Sequence, residues 1–103
     1  MGMYMYVSEQ DRITMRKVED MEVNDELQEA LKYDPSLMIK QSCRVIKKGI
    51  FKKETVKFFE VFHEIPARYQ IIYQLSGSGT KDIVIAYLHG IVNGCVNRGI
   101  TPI

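Results

Sequence analysis

The stretch from residue 83 to residue 96 constrains the fold most, because Ile83, Val84, Ile85, Tyr87, Leu88, Ile91, Val92 and Val96 make it apolar on nearly every side. Helical spacing fits it. Thr80 can cap the start, Asp82 stands in a first turn that favours negative charge, and Asn97, Arg98 and Gly99 supply a cationic last turn and a terminating glycine. At about fourteen residues the run is well short of the ~20 that a membrane span needs, and His89 and Asn93 interrupt it. A helix apolar all round must be buried. The rest of the chain therefore has to supply a cover for it.

That cover is predicted from period-two patterns upstream. Leu37, Ile39, Cys43 and Val45 point one way while Lys40, Ser42 and Arg44 point the other, which describes a half-buried strand. Lys47, Lys48 and Gly49 offer a turn, and residues 50–63 follow, with Val56, Phe58 and Phe62 alternating with Thr55, Lys57 and Val61. The adjacent pair Phe58 and Phe59 breaks the alternation, so this strand carries a bulge there or is buried on both faces; a helix over 55–65 is the competing reading. Ile65, Pro66 and Ala67 make the next turn, residues 68–75 form the clearest β segment, and Ser76, Gly77, Ser78 and Gly79 end it.

Towards the N-terminus, residues 3–7 and 12–18 suit a pleated surface and predict a small hairpin turning at 8–11. A short amphipathic helix is expected from Asn24, which can cap it, with Leu27, Ala30 and Leu31 on one face and an end before Asp34 and Pro35. No repeat, low-complexity tract or linker appears. The expectation is one α+β domain over 1–103: a three-stranded antiparallel meander, extended by the N-terminal hairpin, with two helices packed on one face and the other face partly uncovered.

Apolar residues at 46% and charged residues at 26% are those of a chain that folds throughout. The net charge of +1 supplies no global field to draw in nucleic acid or an anionic membrane, so an electrostatic partner must meet a local patch. One such patch is Arg44, Lys47, Lys48, Lys52, Lys53 and Lys57, straddling the central turn with Phe51 at its tip, where lysines can meet phosphates and an aromatic can stack on a base. An exposed hairpin is also ordinarily charged for solubility, and Glu54, Glu60 and Glu64 dilute this one.

A second candidate is Gly77, Ser78, Gly79, Thr80 and Lys81, placed between strand and helix where free N–H groups can hold an anion. Asp82 follows Lys81, so the segment is not a P-loop, and it lacks the dinucleotide spacing. A third is the stripe Ala86, Gly90 and Gly94 along the last helix, beside Tyr87 and Ile91. Two interior glycines cost about 1 kcal/mol each, which predicts a compensating close approach, either to the chain's own sheet or to a second chain.

Helix, three antiparallel strands, glycine-bearing loop and lysine-started helix over residues 24–98 resembles the topology of the double-stranded RNA-binding domain. That family opens its last helix with a lysine cluster and carries a histidine between its second and third strands. Here Lys81 stands alone and no histidine lies in 65–67. The resemblance is one of element order and assigns no residue a role.

Cys43 and Cys95 make no disulfide framework, and no secretory pattern opens the chain, which points to a reducing cytoplasm. His63, His89 and the two cysteines have no ligand-pair spacing, so no metal or cofactor is expected. Paired carboxylates and an activated nucleophile are not visible either. The sequence therefore favours a non-catalytic protein–protein interaction module, an adaptor, inhibitor or assembly component that forms a homodimer without a membrane, over a nucleic-acid binder using the hairpin and Lys81, or an anion binder at 77–81.

Overall fold

The computed structural model describes residues 9–68 and 71–103. The element order is α1 (Glu9–Met15), α2 (Met21–Leu31), β1 (Leu37–Lys48), β2 (Lys52–Pro66), β3 (Ile71–Thr80) and α3 (Lys81–Asn97). The three strands form one antiparallel sheet in the order β1-β2-β3, so the α+β class and the meander hold. β2 is a strand throughout. A helix over 55–65 is ruled out because both edges of that segment are paired, Thr55 with Val45 on β1 and Phe59 with Gly79 on β3.

Alternation along β2 divides the core. Phe59 and Val61 join Leu37 and Ile39 of β1, Val23, Leu27 and Ala30 of α2, and Val84 and Leu88 of α3 in one apolar cluster. On the opposite face Phe62 packs with Met38, Tyr73 and Met15. β2 is thus buried on both faces, which accounts for the adjacent phenylalanines without a bulge at that point. The irregularity lies further along: Val61 pairs with Gly77 and Phe62 with Leu75, leaving Ser76 as an extra residue on β3.

Two predicted elements need correction. The second arm of the expected N-terminal hairpin, 12–18, is not a strand: its first residues belong to α1, and the first arm, 3–7, lies outside the described residues. The local β preference of Ile13, Thr14 and Val18 is overridden by an amphipathic pattern in which Met15 enters the core while Arg12 and Arg16 both reach Glu64 on β2. α1 therefore covers part of the sheet face that α2 and α3 leave open. The second correction concerns α2, which starts three residues before Asn24. Asp20 is the N-cap, its carboxylate accepting from the Val23 N–H at 3.1 Å, while Asn24 Oδ1 accepts from the Val18 N–H.

α3 is buried on one face only, at Val84, Leu88 and Cys95, and not all round as its apolar sequence predicts, but it ends where expected. Gly99 has φ +74°, and the N–H groups of Gly99 and Ile100 donate to the carbonyls of Val96 and Cys95, the paired bonds of a Schellman termination. Among the described residues no helix is long and apolar enough to cross a membrane.

Candidate interaction surfaces

The β1–β2 ladder runs for twelve residue pairs, from Leu37 with His63 to Lys48 with Lys52. Only its inner end is packed: Leu37, Met38 and Ile39 are buried, whereas every residue of β1 from Cys43 onward is exposed. Residues 43–57 form a two-stranded arm with core on neither face. Val45 is 64% exposed, and at the tip Ile50 and Phe51 are 91% and 96% exposed, beyond a Gly49 held at φ +82°.

The arm carries Arg44, Lys47, Lys48, Lys52, Lys53 and Lys57 against Glu54, a net +5, which leaves the rest of the chain at −4. The near-neutral total hides a strong segregation of charge. Register makes it sharper, since Lys47 stands directly opposite Lys53 on one face and Lys48 opposite Lys52 on the other; like charges in that relation destabilise a ladder. Lys48 is relieved by Glu54 at 2.6 Å, and the Arg44 guanidinium lies 3.6 Å from the centroid of the Phe58 ring on the same face.

Lys57 belongs to the base of the arm, where its Nζ donates to Asp20 at 2.8 Å. Lys81, which the sequence reading groups with the hairpin, is held between Glu22 at 2.6 Å and Asp20 at 3.6 Å. The hydrogen bond to Glu22 is the main cause that raises its pKa. Its charge is therefore already neutralised at the N-terminus of α2. Asp20 is the residue this reading missed. It is 5% exposed, donates its own N–H to Gln41 Oε1, and has its carboxyl pulled down to about 2, first by Lys57 and then by the Val23 N–H.

The proposed anion loop is not a loop. Gly77, Ser78, Gly79 and Thr80 are the end of β3, opposite Val61, Glu60, Phe59 and Phe58, so the expected free segment between strand and helix is absent. Its glycines serve packing. A Cβ on Gly79 would stand 2.8 Å from Ile83 Cγ2, and one on Gly77 would touch the Tyr87 ring at 3.4 Å. Glycine and serine punctuate loops often enough to suggest one here, but these two glycines are flat strand over which α3 lies closely. Thr80 occupies the N-cap position without a side-chain cap bond.

The converse holds for the helix glycines. Among the described residues a Cβ on Gly90 or Gly94 would meet nothing within 4 Å. The close approach between α3 and the sheet is made through strand glycines, so the stripe Ala86, Gly90 and Gly94 is open. Tyr87 and Ile91 flank it and pack inward against the core, while Ile83, 58% exposed, prolongs it. Ile83, Ala86, Gly90, Asn93, Gly94 and Asn97 along this stripe are uncharged, with Asp82 at its start and Asp34 and Arg98 lining the groove at the Gly90 and Gly94 end.

His89 pairs with Glu26 at 2.7 Å, Cys43 is exposed and Cys95 buried. Among the described residues no group of three or more His, Cys, Asp or Glu side chains could hold a metal ion. His63, by contrast, meets Asp34 and Ser76, a grouping that no spacing in the sequence announces. Neither a protein-family model, a curated protein nor a solved structure matches this chain.

Proposed function

We propose that this chain is a protein–protein interaction module, an assembly component or adaptor whose first partner is a second copy of itself docked along α3. The observation that carries the reading is the open space over Gly90 and Gly94. Each glycine costs about 1 kcal/mol relative to alanine inside a helix, and no contact among the described residues recovers it. A second helix would, because two side-chain-poor stripes can approach closely and bury Ile83, Ala86 and the flanks of Tyr87 and Ile91, with Asp34 and Arg98 at the rim. Light-scattering mass across a concentration series tests this. A dimer that reverts to monomer in Gly90→Leu, with unchanged circular dichroism, supports the docking face; a wild-type monomer at all concentrations removes it.

A second reading is favoured by the like-charge pairs of the arm. Two like-charge lysine pairs, one on each face of a hairpin without a core, are a structural cost that a polyanion would relieve. A two-stranded ribbon also has the dimensions to enter a nucleic-acid major groove. On this reading duplex binding falls steeply with salt, and replacing Lys47, Lys48, Lys52 and Lys53 by Glu abolishes it. Absorbance at 260 nm across the sizing peak separates the two readings: a protein-like ratio at dimer mass favours the first, and a signal that 1 M salt strips away favours the second.

A further inference from the structure

Three segments distant in sequence bring a hydroxyl, an imidazole and a carboxylate into one chain of hydrogen bonds. Ser76 Oγ lies 2.9 Å from His63 Nδ1, and His63 Nε2 lies 3.1 Å from Asp34 Oδ2. Asp34 is itself fixed from its other oxygen, which accepts from the N–H and the hydroxyl of Ser36 at 3.1 and 2.5 Å. Ser76 is the extra residue of the β3 irregularity, which places its exposed hydroxyl outside the regular pairing. This is a nucleophile within reach of a base that is oriented by a third group.

We propose that Ser76 is a base-activated nucleophile that accepts an acyl group from small esters with a good leaving group. The inference is independent of both binding readings above. With His63 neutral and its proton on Nε2, that proton is donated to Asp34, and the Nδ1 lone pair receives the Ser76 hydroxyl proton. As Oγ attacks the acyl carbon, the Oγ–C bond forms, the proton passes to Nδ1, and the bond to the leaving oxygen breaks with its electron pair. The proton on Nδ1 then passes to the leaving oxygen or to solvent. In the second step water attacks the acyl carbon and gives a proton to Nδ1, and the acyl–Oγ bond breaks with its electron pair as Nδ1 returns that proton to Oγ. A small donor fits because the site lies open on the edge strand, beside the Tyr87 ring that covers Gly77.

The same geometry contains an off state. Ser76 Oγ is also 3.2 Å from the Val61 carbonyl. When His63 is protonated both ring nitrogens donate, so Ser76 must accept from Nδ1 and turn its own proton to Val61. Among the described residues the charged group paired with the ring is Asp34, from the turn after α2; Tyr87 of α3 and Arg98 at its end border the same shallow groove as Asp34, and the strand neighbours Leu37 and Gln74 are uncharged. Asp34 is a positioning residue, holding the tautomer that leaves Nδ1 free.

The test is p-nitrophenyl acetate with the intact chain, followed by mass spectrometry with fragmentation. One equivalent of p-nitrophenolate is expected in a burst, with the acetyl group on Ser76, no burst in Ser76→Ala, and a rate reduced about 10²- to 10⁴-fold in His63→Gln. Asp34→Asn should alter the pH profile as well as the rate. Melting curves establish that each variant is folded; should His63→Gln unfold, the location of the acetyl group in the wild type and the burst in Ser76→Ala decide the matter. Acetylation confined to lysines or Cys43, or an undiminished burst in Ser76→Ala, overturns the proposal.

Discussion

Replacing Asp20 by Asn tests how the base of the arm is tied to the body. The carboxylate of this buried residue meets Val23 of α2, Lys57 of β2 and Lys81 of α3, while its N–H meets Gln41 of β1. Asparagine caps helices about as well as aspartate, so the substitution removes the charge and keeps the cap. The carboxyl falls from 3.8 to about 2 on folding. At about 1.4 kcal/mol per pKa unit this is worth at most about 2.5 kcal/mol. A chain of this length melts with an entropy near 0.2 kcal/mol/K, so the loss lowers the melting temperature at neutral pH by about 10 °C.

The sign with pH follows from the depressed value. The carboxylate's contribution is complete above about pH 5, where the group is ionised folded or unfolded, and is lost as pH falls through 3.8 towards about 2. Thermal melts by circular dichroism at several pH values should show wild type and Asp20→Asn converging over that window. Asp20→Ala should lose about 1 kcal/mol more, through the missing cap. If Asp20→Asn melts within a degree or two of wild type at pH 7, or the difference persists unchanged at pH 2, the carboxylate is not the tie described here.

The glycines should separate by substitution. Gly79→Ala destabilises by about 1 to 3 kcal/mol through its clash with Ile83, and Ile83→Ala in the same chain recovers part of it, whereas Gly90→Ala raises monomer stability by up to about 1 kcal/mol in chemical denaturation. On the docking reading Gly90→Ala also weakens self-association, measured by sedimentation. Glu64→Gln should loosen α1, which Arg12 and Arg16 fasten to β2, and raise hydrogen exchange at residues 12–15 without comparable change in α3. If the arm binds nucleic acid, each of its tip lysines removed should lower the salt slope of binding by about 1.

Elements whose signals are local were legible in the chain. α3 declares itself by an apolar run with Asp82 at one end and Gly99 at the other, and the hairpin by alternation either side of Gly49. Residues 12–15 were misread because β-favouring side chains outweighed a helical pattern whose reward, the double contact to Glu64, comes from a strand about fifty residues away. Gly77 and Gly79 were misread because glycine marks both a loop and a close approach, and only the position of α3 distinguishes them. Lys81 looked like a free cation until Asp20 and Glu22 came beside it.

Composition and periodicity by themselves determined the class of fold, the strand order of the meander and the existence and ends of the last helix. Those properties depend on side-chain spacing and on where a backbone can bend, and neighbours a few residues apart settle them. The tertiary structure alone decided that the sheet supports only half of the β1–β2 ladder and that the helix glycines face outward. It alone decided that Ser76, His63 and Asp34 meet, because contacts across 13 and 29 residues of chain depend on register, and register is fixed only when the two apolar faces of β2 find their helices.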